Sequence, residues 1–196
     1  MSKITIVVLI FFVLLLSCNA QEIPPKEDQI NAALLAAPQQ FRDGATVLGY
    51  NNDGKLVTLR QGTNEMICLA DDPMKPGFSA AAYHKDLEPF MARGRKLRAE
   101  GKTQEEIFAI REKEAKNGTL KMPERGATLH ILFGNSAKYN PKTNTVENAI
   151  YRYVVYIPWA TTESTGLPTS PSTIGGPWIM DAGTHRAHIM INPPAN

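Results

Sequence analysis

"DLEPFMARGRKLRAEGKTQEEIFAIREKEAKNG", residues 86–118, changes the hydrophobic period of the chain from about two to about 3.6. Pro89 falls within a first helical turn, where its missing N–H costs little. Phe90, Met91 and Leu97, with the small Gly94, make one side of a helix that Gly101 closes. Thr103 and Glu106 form a capping-box pattern for the next helix, and Gly118 stands where a C-cap glycine belongs. Ile107, Phe108, Ile110 and Ala115 give that second helix a buried face, and the very short connection predicts an αα-hairpin.

Strand patterns lie on both sides of this pair. Upstream, "ATVLGYNNDGKLVTLRQGTNEMICLADDP" (45–73) reads as a three-stranded meander, turning at Asn51–Gly54 and at "RQGTNE" (60–65) and ended by Pro73. Downstream, "ATLHILFG" (127–134) and "AIYRYVVYIPW" (149–159) return to strand character. A polar loop, "TTESTGLPTSPSTIGG" (161–176), leads to a last strand in "PWIMDAGTHRAHIMI" (177–191). "DQINAALLAAP" (28–38) predicts a short N-terminal helix, capped by Asp28 and stopped by Pro38. The expected fold is α+β: an antiparallel sheet with a packed αα-hairpin and a short N-terminal helix.

The first twenty residues, "MSKITIVVLIFFVLLLSCNA", place Lys3 before a predominantly apolar run from Ile4 to Leu16. A membrane span needs about twenty apolar residues, so this run reads as the core of a secretory signal peptide. Two cleavage readings stand. "LLSC" (15–18) resembles a bacterial lipobox, which would lipidate Cys18, whereas "CNA" before Gln21 suits ordinary signal peptidase. The organisation expected is a signal peptide over 1–20, a polar, Pro-rich tether over 21–27 and one domain over 28–196. Export places the protein in the periplasm or at the outer membrane or cell surface as a lipoprotein, or otherwise secretes it. The membrane is touched only if the lipobox reading holds, through the lipid on Cys18.

With 21 Lys and Arg against 19 Asp and Glu, the chain has no global field to attract nucleic acid. If Cys18 is lipidated, Cys68 has no partner within the chain, and the core must hold the domain without a disulfide. P-loop, G-x-G-x-x-G, G-x-S-x-G, H-E-x-x-H and C-x-x-C patterns are missing from the sequence. No cofactor is called for.

Four groups of residues remain as candidates. His185 and His188 point to opposite faces if they lie on a strand, with His185 exposed in a turn and His188 beside Met190. A bend at Gly183 would instead gather them around a metal, with Asp181 or His130 as third ligand. Cys68 is a candidate nucleophile with His188 or His130 as base, although Asp71 and Asp72 follow it and would raise a thiol pKa if close in space. Arg93, Arg95, Lys96 and Arg98 make a locally basic helix, read as a solvated face, without aromatics interleaved for base stacking. Tyr151, Tyr153, Val155, Ile157 and Trp159 alternate onto one strand face if no bulge intervenes, and Trp178 stands beyond the following loop. Trp159, Trp178 and Tyr153 are therefore the candidate ligand contacts.

The stretch "AALLAAPQQFRDGATVLGYNNDGKLVTLRQGTNEMICLADDP", together with the ending "PWIMDAGTHRAHIMI", resembles a group of exported bacterial proteins of unknown function. The resemblance covers most of the mature chain and implies export and a single domain. Members of that group often carry a second cysteine shortly after the position of Cys68. Here the corresponding region reads "GFSAAAYHKD" (77–86), so the resemblance implies no disulfide. The expectation is a non-enzymatic binding or accessory module for an envelope component or small ligand. Its contact surface would be the 159–178 loop and the His185/His188 end. The alternative is a hydrolase using Cys68 with a histidine, or a metal-dependent site at His185 and His188.

Overall fold

The computed structural model describes residues 22–193, so the signal sequence and Cys18 lie outside the described residues. β4 (Phe78–His84) shows how the two layers arise. Phe78, Ala80 and Ala82 pack on one side of the strand, and Ala81 and Tyr83 on the other, so both faces of the sheet are buried here. The first face is covered by α1 (Lys26–Leu34) through Ile30, Ala32 and Ala33. The second is covered by the hairpin of α2 (Glu88–Ala99) and α3 (Gln104–Lys116), with Leu87 and Phe90 pressed on Leu129, Val154 and Tyr156.

The other strands are β1 (Thr46–Tyr50), β2 (Leu56–Arg60), β3 (Met66–Leu69), β5 (Ala127–Gly134), β8 (Ile150–Tyr156), β9 (Trp178–Met180) and β10 (His188–Ile191). The main sheet runs β2-β1-β3-β4-β5-β8-β10-β9. A small separate hairpin pairs β6 (Lys138–Asn140) with β7 (Thr145–Glu147). The fold is α+β, with a packed helical hairpin and a short N-terminal helix. α3 carries the expected capping box, with Thr103 Oγ1 accepting from the Glu106 N–H and Glu106 accepting from the Thr103 N–H. Gly101 and Gly118 close their helices at positive φ.

Three local expectations are corrected. Asp28 does not cap α1; the helix begins two residues earlier, and Asp28 sits in its first turn, where its charge favours the helix dipole. The last segment is a hairpin of β9 and β10, not one strand. β1, β2 and β3 are not a meander: β3 lies on the far side of β1 and runs parallel to it, while every other neighbouring pair in the main sheet is antiparallel.

The reason lies in residues 61–65, which cross against the start of β1. Gly62 passes so close that a Cβ would collide with backbone atoms of Gly44, Ala45 and Thr46. The Thr63 and Asn64 N–H groups both donate to the Gly44 carbonyl, at 2.7 and 3.0 Å, and Asn64 Nδ2 donates to the Phe41 carbonyl at 2.7 Å. Arg60 Nε donates to the Ala45 carbonyl at 3.1 Å, fixing the same corner from β2. Gly62→Ala is expected to destabilise the protein by more than about 2 kcal/mol, because backbone must move to admit the methyl group. Gly101→Ala meets open space and only a strained φ, which costs about 1 kcal/mol. Urea unfolding midpoints of the two variants will show the difference.

Candidate functional site

The turn between β9 and β10 bonds to the turn that follows β8. Gly183 N–H donates to the Ala160 carbonyl at 2.7 Å, and Trp159 N–H donates to the Thr184 carbonyl at 2.8 Å. Gly183 has positive φ, as do Asp181 and Trp159. Arg186 Nε donates to Asp181 Oδ2 at 2.7 Å, bracing the turn from within.

His185 is not exposed in this turn. It is fully buried beneath the helical hairpin, its ring edge-on to Phe108 at 4.9 Å and tilted against Phe90 at 5.9 Å. Glu112 Oε2 stands 3.5 Å from its Nδ1, and neither ring nitrogen has a hydrogen-bond partner among the described residues. His188, also buried, stacks on Tyr156 at 5.1 Å and directs Nδ1 to the Arg186 carbonyl at 2.6 Å. It shares its face with Met190, as expected. The two histidines are nevertheless on the same, helix-covered side of the sheet, because His185 precedes the strand and is not bound by its alternation.

Sharing a side does not make them one site. His188 Nδ1 is 3.9 Å from Asp181 Oδ2, while His185 faces Glu112. His130 lies on the opposite face of the sheet, edge-on to Tyr153 at 5.6 Å. Among the described residues, no three His, Cys, Asp or Glu side chains come together to hold a metal ion. Burial lowers the pKa of all three histidines. For His185 the neighbouring Arg111 adds to this, against the opposing pull of Glu112.

Cys68 is fully buried in β3 on the α1 face, paired with Val47 and Ala82. Burial pushes its thiol up to about 12, against the weaker opposing charges of Arg60 and Arg42. Ala82 on β4 stands between Cys68 and His130, so the two side chains are two strand spacings apart, about 10 Å. His188 is on the other face altogether. Neither His130 nor His188 therefore reaches the thiol, and His84, diagonal to Cys68 across β3 and β4, instead accepts at Nδ1 from the Asp86 N–H at 3.3 Å.

The aromatic strand is divided by the end of β8. Tyr151 and Tyr153 stack at 6.1 Å on the α1 side of the sheet, and both are partly exposed. Trp159 leaves that face: its positive φ turns it to the α3 side, with Lys116 Nζ 5.9 Å from its ring. Trp178 packs half-buried against the core under the helical hairpin. Trp159, Trp178 and Tyr153 do not converge on one ligand surface, because a left-handed residue after the strand breaks the alternation.

A different concavity emerges, of about 360 Å³, between α1, the start of β4 and the β6–β7 hairpin. Ala32, Ala70, Phe78 and Ala137 form apolar walls, and Asp28, Asp71, Lys138 and Tyr139 bring polar groups to it. Asp71 Oδ1 accepts from the Ser79 N–H at 2.8 Å. Burial nevertheless raises the pKa of this carboxyl. The sequence offers no signal for this cavity. Its walls are small residues drawn from four separated segments, and β6 and β7 are too short to read.

Compared with protein-family models, curated proteins and solved structures, the chain matches none.

Two outcomes are expected. Iodoacetamide at neutral pH will leave Cys68 unmodified in the native protein and alkylate it in denaturant, measured by intact mass. The three depressed histidine pKa values make stability complete above the ordinary value of 6.5 and progressively lost below it, since the unfolded chain takes up protons first. Urea unfolding will therefore show a weaker protein at pH 5.5 than at pH 7.5. His185→Leu, which removes a ring without hydrogen bonds, will flatten that slope.

Proposed function

We propose that this chain is an exported cell-envelope protein that works as a non-enzymatic binding module, with a small ligand seated in the cavity between α1 and the β6–β7 hairpin. The size and lining of that cavity carry the reading. A space of about 360 Å³ with apolar walls and a few polar groups has the anatomy of a small-molecule site. Its polar groups are available to a ligand: Asp28, Asp71 and Lys138 have no ion-pair partner among the described residues. Asp71 is the group most changed by occupancy, since a ligand donor or cation there would offset the burial of its charge.

The arrangement of the other candidates favours the same reading over hydrolysis. A thiol held near 12 supplies almost no thiolate at neutral pH, and the two histidines expected as its base, His130 and His188, lie elsewhere. Export rests on the signal-peptide pattern of residues 1–20, and the intact mass of protein from envelope fractions tests it. A lipid-sized addition on a chain starting at Cys18 means an anchored protein, and a chain starting at Gln21 means a released one.

Native mass spectrometry of protein purified gently from envelope fractions tests the binding reading. The expected spectrum carries an added small molecule that is lost in Ala137→Leu, whose larger side chain fills a buried wall of the cavity. A bare mass for both proteins, with no thermal stabilisation of the wild type by a library of small amphipathic compounds, would refute it.

A further inference from the structure

The basic run on α2 separates into satisfied and unsatisfied charges. Arg93 forks onto Glu114, with Nε donating to Oε2 at 2.9 Å and Nη2 to Oε1 at 2.6 Å. Arg95 pairs with Glu88, and its Nη1 donates to the Tyr83 hydroxyl at 3.2 Å. Neither Arg98 nor Arg111 has a carboxylate within ion-pair distance among the described residues.

Arg111 is the unusual one. It is only 6% exposed, holds its guanidinium carbon over the Phe90 ring at 3.8 Å and donates from Nη1 to the Phe90 carbonyl at 3.2 Å. Its Nε has no hydrogen-bond partner among the described residues. Gly94 makes the approach feasible. The point that a Cβ would take there is 2.9 Å from Arg111 Nη1 and 3.7 Å from Arg98 Nη2, so two guanidinium groups converge on this one glycine. Burial, and then the charges of Arg186 and Arg98, lower the Arg111 pKa to about 10, which leaves it charged at neutral pH. Arg186, the next cation, is already held by Asp181. Two adjacent positive charges, one of them nine-tenths buried and without a counterion among the described residues, are costly in a folded protein.

We propose that Arg98 and Arg111, meeting over Gly94 between α2 and α3, bind a phosphoryl group. A single carboxylate is planar, singly charged and matched to one guanidinium fork. Two forks from two helices suit a tetrahedral, doubly charged group, whose oxygens accept from both at once. Arg98 is exposed and gives the ligand its entry, while Arg111 is preorganised by the Phe90 ring and carbonyl. This site is separate from the cavity beside α1, and the headgroup of an anionic lipid and a soluble phosphate ester present the same chemistry to it.

The test is calorimetric titration of the chain from Gln21 with inorganic phosphate at constant ionic strength, with acetate as the control. Saturable one-to-one binding is expected, and Arg98→Gln and Gly94→Ala will weaken it about tenfold or more, the effect of losing one charge-assisted contact. Arg98 is exposed, so its variant keeps the fold, and circular dichroism verifies this. A non-saturating response, equal binding by Arg98→Gln, or acetate binding as well as phosphate would overturn the proposal. Sedimentation with vesicles of phosphatidic acid in phosphatidylcholine then identifies the source. Arg98-dependent cosedimentation supports a lipid headgroup, and phosphate binding without cosedimentation supports a soluble phosphoryl ligand.

Discussion

The architecture depends on the crossing of residues 61–65 against the start of β1. Only a residue without a side chain lets these two backbones lie in contact, and Gly62 is at that point. The crossing moves β3 from the outside of β2 to the free side of β1, and β4 then follows β3 toward the middle of the sheet. α1 fixes the other end of β1. Gln29 accepts from the Tyr50 N–H at 2.8 Å and donates to the Tyr50 carbonyl at 2.9 Å, so a buried amide ties the helix to the end of β1.

Two kinds of chemistry follow on the two faces. The α1 face is lined with alanines, Val47 and Cys68, and it holds the thiol in surroundings where ionisation is unfavourable. The helical-hairpin face carries charge inside the protein. Arg95, Glu88 and Tyr83 fasten α2 to the sheet, and Arg93 with Glu114 fastens α2 to α3. These pairs are half-buried and well directed, so they add specificity of docking where a fully exposed pair would add little. Arg111 lies in the same interface without such a partner among the described residues, which is what distinguishes it from an ordinary helix-packing arginine.

The helical hairpin was legible because its signals are local. Thr103 with Glu106, Gly101, Gly118 and the spacing of Ile107 act over a turn or two and need no distant contact. The strand β4 was not. "FSAAAYH" is poor in β-branched residues, and its alanines are there because α1 approaches closely on one side. The turn "RQGTNE" has the composition of a hairpin loop, but its glycine is required for closeness to another segment and not for a left-handed φ. Among the candidate site residues, the placing of His188 beside Met190 followed from strand alternation. The exposure expected for His185 failed because α3, some seventy residues earlier in the chain, covers the turn.

By itself, then, the sequence determined the α+β class, the limits of the helical pair and the residue types available for chemistry, since periodicity and capping are written within a few neighbouring residues. The tertiary structure alone decided which charges find partners, which face each histidine joins, and where a cavity opens. Arg93 and Arg98 are five residues apart on one helix and look alike in sequence. Only the packing of α3 against α2, with Glu114 under one and Gly94 beside the other, makes one a satisfied ion pair and leaves the other without a carboxylate among the described residues.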